Sequence, residues 1–343
     1  MNVAVIGLGK MGLLHAGILN SLKDVNLIAI TEKEKLISNY IKSSLDNVKV
    51  YEDYEKMFES ENIDLAYITT PVSTHVPIAL ACINNKISFF MEKPISGNFN
   101  ETKKLCSELK KSNIQHYVGF NRRFIDTFVK VKSLLDLKVL GQIDTVKSTM
   151  YAANVFSKPK GWRSNKKISG GGVLLDFGSH VIDLLHWYFG DIKDVSAKIR
   201  SIYSEDVEDE AEVQFNFVNN IKGSLSTSWS KKGYRLPEIT LEINGDNGQI
   251  IVNEDCIKIA LKKLVPGLEK QEDTIYKQTF CTGVPIDIGG ADYTKEDIHV
   301  ISAFTNNKQS LVNVFEASKV QSVIHYAYES VKSNSFLKVK YIE

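Results

Sequence analysis

Four apolar residues, Val3-Ala4-Val5-Ile6, run straight into Gly7-Leu8-Gly9-Lys10-Met11-Gly12. A helical pattern of Met11, Leu14, Ile18 and Leu22 follows at once. A short continuous apolar run is what a parallel strand buried on both faces requires. The glycines permit a tight turn and close backbone approach to a bound group, and the helix start offers unpaired N–H groups and the positive dipole end. A lone G-x-G-x-x-G is weak, and a plain glycine turn is the alternative. Strand, glycines and helix in this order point to a dinucleotide pyrophosphate on Gly7, Gly9, Lys10, Met11 and Gly12. The next apolar run, 26–31, ends at Glu32. A carboxylate about twenty residues past the glycines can bind the adenosine ribose hydroxyls and repel a 2′-phosphate. NAD is therefore expected over NADP, although Lys33 and Lys35 blunt that argument. The alternative is that Glu32 merely begins a helix over 34–45.

The alternation continues. Residues 48–51, 64–69, 87–91 and 115–119 read as strands, and 54–59, 74–84 and 99–112 as helices. This order predicts a doubly wound parallel sheet, an α/β Rossmann domain. Ligands of such sheets sit outside the carboxyl ends of the strands. Those ends carry the 7–12 loop, Glu32, Thr70-Pro71, Glu92-Lys93-Pro94 and Asn121-Arg122-Arg123.

At 343 residues the chain is too long for one ordinary core. The division expected is 1–121 for dinucleotide binding and 122–343 for an α+β domain for substrate binding and oligomerisation. After a helix over 124–135 the second half is mostly strand: 141–152, 195–203, 211–218, 222–229, 239–243, 249–253 and, less surely, 256–265. Helices are expected over 294–305 and 314–330, with a closing strand at 336–341. This is a large, mainly antiparallel open sheet backed by helices. Its open face is expected to be covered by another subunit, as a homodimer or homotetramer. Residues 153–169 look irregular but hold Trp162 and Arg163, which either cover the site and touch cofactor or substrate, or anchor a long loop. The acidic group Glu205, Asp206, Glu208, Asp209, Glu210 reads as a solvated turn.

The second half also contains Gly170-Gly171-Gly172 followed by Asp176, His180 and Asp183 in an apolar run to Phe189. On a helix Asp176 and His180 share a face. A carboxylate beside an imidazole tunes a proton acceptor near neutral pH. Taken alone, a cap and a packed core histidine explain the pair as well.

Composition excludes other classes. Lys plus Arg (42) nearly cancels Asp plus Glu (41), which removes the electrostatic case for nucleic acid or an anionic membrane. Cys82, Cys106, Cys256 and Cys281 form no C-x-x-C pair, so no metal is expected, and a reducing, cytoplasmic setting is. No secretory segment is read at the start, and no apolar run is read as long enough to cross a bilayer.

The 7–12 loop, Thr69-Thr70-Pro71 with His75 after it, Glu92-Lys93-Pro94, and the pattern from Gly170 to Asp183 together resemble the glucose–fructose oxidoreductase / inositol dehydrogenase (Gfo/Idh/MocA) family. The resemblance spans nearly the whole chain. It implies NAD(P)-dependent oxidation or reduction of a carbohydrate or cyclitol hydroxyl, with Lys93, Asp176 and His180 matching the catalytic lysine, aspartate and histidine. The cofactor set is then the glycine loop, Glu32, Thr70, Pro71, His75, Glu92, Lys93, Asn121, Trp162 and Arg163. The substrate set is Lys93, Arg123, Tyr151, Arg163, Asp176, His180 and Tyr234.

The chemistry of these residues agrees. Hydride transfer needs a base for the hydroxyl proton and a positive group near the oxygen. His180 fits the base, Lys93 the positive group, and Asp176 tunes His180. A surface lysine paired with Glu92 is the bland account of Lys93. Two other functions remain open: a glycosidase that uses NAD for transient oxidation and elimination, and a non-catalytic dinucleotide sensor.

Overall fold

The computed structural model describes residues 1–44, 47–159 and 161–342. The chain forms two compact units: Met1–Asn121 with Gly283–Ser318, and Arg122–Thr282 with Lys319–Glu343. The expected boundary at 121/122 leaves 283–318 in the second domain; the contacts group that segment with the first.

In the first unit, β1 (Asn2–Ile6) leads to α1 (Lys10–Ser21), β2 (Asn26–Thr31), α2 (Lys35–Ser44), β3 (Lys49–Tyr51) and α3 (Tyr54–Ser60). Then come β4 (Leu65–Ile68), α4 (His75–Asn84), β5 (Ser88–Glu92), α5 (Phe99–Leu109) and β6 (His116–Gly119). The expected end of α2 at Leu45 lies outside the described residues. All pairings in this sheet are parallel, in the order β3-β2-β1-β4-β5-β6. The order reverses at β1, which places the switch point of the doubly wound sheet at the glycine loop. Val3, Ala4, Val5 and Ile6 are buried, as a strand covered on both faces demands. The core also takes Val300, Ile301 and Ala303 from the returning segment.

His116 joins this core to that segment: its Nδ1 accepts from the Val314 N–H at 3.1 Å, and its ring meets Phe315 edge-on. Burial pushes its pKa down to about 4. The folded value lies below the unfolded one, so its stabilisation is present above the unfolded pKa and is lost as pH falls from about 6.5 towards 4. At full effect this is about 1.4 kcal/mol per pH unit. Thermal melting against pH should therefore show a shallower acid loss in His116→Gln than in the parent; equal slopes would contradict the assignment.

The second unit contains α6 (Asp126–Asp136), β7 (Ile143–Tyr151) and α7 (Lys166–Ser169), then a wide helical turn, Leu174–Gly178, that runs into α8 (Ser179–Phe189). The strands β8 (Ile192–Arg200), β9 (Glu210–Phe217), β10 (Lys222–Ser228), β11 (Glu238–Gly245), β12 (Gly248–Val252), β13 (Cys256–Leu261) and β14 (Glu272–Tyr276) follow. In the chain, α9 (Ala291–Thr305) of the first unit comes next. Then α10 (Val314–Ser333) begins in the first unit and continues in the second, and β15 (Leu337–Lys338) closes the sheet. The sheet has nine strands, ordered β14-β13-β12-β11-β7-β10-β9-β8-β15, with β7 and β10 parallel and the other pairings antiparallel. Along β9, Ala211, Val213, Phe215 and Phe217 point inward at period two. The strand β14 was not expected, because Glu272–Tyr276 alternates without a buried side.

Two readings are corrected here. The segment 166–189, helical but for Gly170–Gly172, passes the length and composition test for crossing a membrane, contrary to expectation; 83% of its most apolar window is buried inside the unit, as in a core helix. The acidic group after β8 is not simply a solvated turn. Glu208 and Asp209 are 5% and 0% exposed. The Asp209 carboxylate accepts from the amides of Ile202, Tyr203 and Ser204 at 2.7–2.8 Å, pinning the turn from inside.

Candidate active site

The first unit holds the expected cofactor residues other than Trp162 and Arg163, along the carboxyl edge of its sheet. Gly12 is fixed by packing: a Cβ there would stand 1.9 Å from the Gly7 carbonyl. Thr69 Oγ1 donates to the same carbonyl at 2.7 Å, so β4 and the glycine loop are tied together. By contrast, a Cβ on Gly9 would meet nothing within 4 Å, and no side chain caps α1. Open space therefore lies over free amides at a helix start, which fits a diphosphate. Lys10 is exposed and Met11 half-buried beside that opening. Glu32 stands at the end of β2 with Oε2 accepting from the Leu8 N–H at 2.8 Å and Oε1 from the Glu34 N–H at 2.8 Å. Its carboxylate is thus locked beside the loop, where ribose hydroxyls would be met.

Thr70 and Pro71 lie at the end of β4, and buried His75 reaches back from α4. Its Nε2 lies 2.8 Å from the Thr70 carbonyl and its Nδ1 2.9 Å from the Pro94 carbonyl. Burial holds this imidazole below its ordinary range. Expected as a cofactor contact, His75 instead joins two strand-end loops through their backbones. The Lys93–Pro94 bond is cis. Lys93 is half-buried, not a free surface lysine. Asn121 donates to Asp292 Oδ2 at 2.5 Å.

Glu92 meets a backbone amide and a histidine. Its Oε2 accepts from the Lys93 N–H at 3.1 Å, and its Oε1 lies 3.2 Å from His15 Nε2. The other ring nitrogen of His15 is 2.9 and 3.0 Å from the two oxygens of Asp297 on α9. Burial alone would lower the His15 pKa, but Asp297 and Glu92 together outweigh it and hold the ring well above its ordinary range. Sequence reading missed this chain from Asp297 to the Lys93 backbone. The one signal was a histidine on the apolar stripe of α1.

The second unit holds the remaining candidates. Half-buried Asp176 lies in the wide turn and buried His180 in the first turn of α8. A single turn of π type inside a helix often marks a functional site. Here it replaces the regular helix on which the pair was expected. Tyr151, at the end of β7, meets Tyr234 edge-on with ring centroids 5.2 Å apart, and Lys231 Nζ lies 5.3 Å over the Tyr151 ring. Trp162 is half-buried and Arg163 exposed, with the guanidinium 4.9 Å from the Trp162 ring. Arg123 departs from expectation as a substrate ligand. It is 5% exposed, and its Nε and one terminal nitrogen fork onto the two oxygens of fully buried Asp183, each at 2.7 Å. That bidentate pair ties the start of the unit to α8, which gives Arg123 and the last aspartate of the 170–183 pattern a framework role. No cluster of three or more His, Cys, Asp or Glu suited to a metal occurs among the described residues.

A six-stranded parallel sheet with an open glycine loop and a locked acidic residue, followed by a large mixed sheet, defines an oxidoreductase with an NAD-binding Rossmann domain. The chain belongs to the GFO/IDH/MocA family. The model for the oxidoreductase family with NAD-binding Rossmann fold matches residues 1–120, and the model for the GFO/IDH/MocA C-terminal domain matches 128–251. The chain is 27% identical over 260 residues to myo-inositol 2-dehydrogenase of Thermotoga maritima, covering 74% of this chain and 75% of that one. It is 28% identical over 228 residues to levoglucosan dehydrogenase of Pseudarthrobacter phenanthrenivorans, covering 59% and 58%. A solved levoglucosan dehydrogenase, in complex with NADH and L-sorbose, shares the fold with a TM-score of 0.89 at 22% identity, over 100% of this chain and 99% of that one.

Proposed function

We propose that the protein is an NAD-dependent dehydrogenase of a CH–OH carbon in a sugar, nucleotide sugar or cyclitol. The observation that carries this reading is the place of Lys93: half-buried at the carboxyl end of β5, on the sheet edge that bears the glycine loop. The sugar and inositol dehydrogenases among its relatives support the substrate class. The nicotinamide, when bound, supplies the hydride acceptor or donor. The chain supplies the rest. His180 takes the hydroxyl proton, Lys93 stabilises the oxygen as it loses that proton, and Asp176 orients and tunes His180. Tyr151, Arg163 and Tyr234 contact substrate, and Trp162 and Arg163 cover the site. Arg123 is left out because it forks onto Asp183.

The test is a panel of free sugars, inositols and nucleotide sugars scored at the nicotinamide absorbance band. Net NADH formation with one class supports the reading. Glycoside cleavage without net NADH would favour the elimination reaction instead, and binding without turnover on any of them a sensor.

NAD preference over NADP follows from the locked Glu32 carboxylate, which would repel a 2′-phosphate. Glu32→Ala should narrow the ratio of NADH to NADPH affinity, measured by fluorescence titration. Tighter NADPH binding by the parent would transfer the decision to Lys33 or Lys35.

The outer face of the nine-stranded sheet presents Thr145, Lys147, Thr149, Ser224, Ser226, Thr240 and Glu242, exposed or half-buried. We read it as the surface that a second copy covers. Light scattering at micromolar concentration should give a dimer or tetramer rather than a 38.5 kDa monomer.

A further inference from the structure

We propose that Glu208, clasped by Tyr328, is the residue that positions Asp176 and His180. The inference rests on the catalytic reading of those two residues. The first amides of a helix have no partner within it. The helical run that starts at Val173 has no local side chain to cap it, since Gly170, Gly171 and Gly172 precede it. One residue, remote in sequence, takes three of these amides. The Gly172 N–H is 3.1 Å from each Glu208 carboxylate oxygen, the Leu174 N–H is 3.0 Å from Oε1, and the Val173 N–H is 2.9 Å from the Glu208 carbonyl. The Tyr328 hydroxyl donates to Oε1 at 2.8 Å.

Gly171 and Gly172 leave the room this contact needs. A Cβ on Gly172 would stand 1.9 Å from the Glu208 carbonyl, and one on Gly171 2.3 Å from the Tyr328 hydroxyl. The Gly172 carbonyl in turn accepts from the Asp176 N–H at 3.0 Å, so the clamped residue begins the turn that carries Asp176. Glu208 is itself held, because its neighbour Asp209 is pinned by three amides. From the other side Phe177 abuts Trp229 edge-on, with ring centroids 6.3 Å apart. A wide turn rotates everything after it relative to a regular one. The clamp selects the wide setting, and with it the direction in which Asp176 and His180 point.

The experiment compares Glu208→Ala, Glu208→Gln and Tyr328→Phe with the parent, using His180→Ala as reference. It reads thermal melting, NADH affinity, the pH profiles of kcat and kcat/KM, and the NMR titration of the His180 ring in cofactor-free protein. Glu208→Ala should bind NADH as the parent does and lose about 10²-fold in kcat, the cost of a misplacement near 1 Å. Its His180 titration and its pH profile should move together. Glu208→Gln, which keeps one carbonyl acceptor, and Tyr328→Phe should show the same shifts at smaller size. A folded Glu208→Ala that loses activity only with its folded fraction, its His180 titration unmoved, overturns the proposal. If that variant does not fold, Glu208→Gln and Tyr328→Phe decide, and no shift in either overturns it. Near-normal turnover in His180→Ala would sink the catalytic reading alone; a displaced His180 titration in the clamp variants would still uphold the clamp.

Discussion

His180→Ala and Lys93→Ala should each lose turnover by about 10²- to 10⁴-fold while binding NADH as the parent does. The expectation follows from their proposed roles. A base that accepts the hydroxyl proton and a cation that stabilises the resulting oxygen act on one proton transfer, so the double variant should lose far less than the product of the single losses. Cofactor affinity should survive because the proposed diphosphate and ribose contacts are the 7–12 loop and Glu32, not these two residues. Asp176→Asn should impair turnover more than NADH binding, since it acts through its neighbour. Packing roles predict something else: activity would fall only as far as the folded fraction, which melting curves measured alongside the kinetics would show. A well-folded His180→Ala with near-normal turnover would move the base elsewhere, with Tyr151 or Tyr234 the next residues to substitute.

The second large effect is on stability. His15→Ala should destabilise the protein by about 3–5 kcal/mol, the cost of breaking a buried pair and leaving its charge uncompensated. His15 and Asp297 are fully buried, and Glu92 nearly so. Without the imidazolium, Asp297 on one side of the ring and Glu92 on the other lose the charge they share. Asp297→Asn should be less harmful than His15→Ala, because an amide still pairs with the ring. Glu296 makes the contrast. Its side chain is 1% exposed, and burial first and the neighbouring Glu92 next drive its pKa well above the ordinary range. The charged form is the disfavoured one at this position, so Glu296→Gln should shift the melting temperature little. Chemical denaturation of the three variants, compared through the midpoint at constant slope, checks the order. A His15→Ala protein as stable as Glu296→Gln would show that the ring is not charged in the folded state. Because Glu92 also holds the Lys93 amide, His15→Ala should lower turnover beyond its effect on folding.

Much of the fold was legible before any coordinates. The strands of the Rossmann sheet announced themselves as apolar runs closed by polar residues, and α1 by its stripe of Met11, Leu14, Ile18 and Leu22. The candidate residues on strand ends were legible for the same reason: in a parallel sheet every carboxyl end reaches one edge. The misses have a common cause. β14 lacks a buried side, so no alternation revealed it. The acidic group after β8 looked solvated because five charges in six residues usually are. Arg123 looked like a ligand because its partner Asp183 lies 60 residues away.

What the sequence by itself determined is local. Hydrophobic period, glycine placement and turn chemistry act over a few residues, and they specified the β/α alternation, the dinucleotide loop and the place of Lys93 at a strand end. What only the tertiary structure decided is which charges are buried and what they touch. His15 meets Asp297 across 282 residues, and Gly172 meets Glu208 across 36. The return of 283–318 to the first unit belongs here as well. Whether a carboxylate is a solvated charge or a buried clamp depends on dielectric and on partners in space, and no pattern along the chain encodes either.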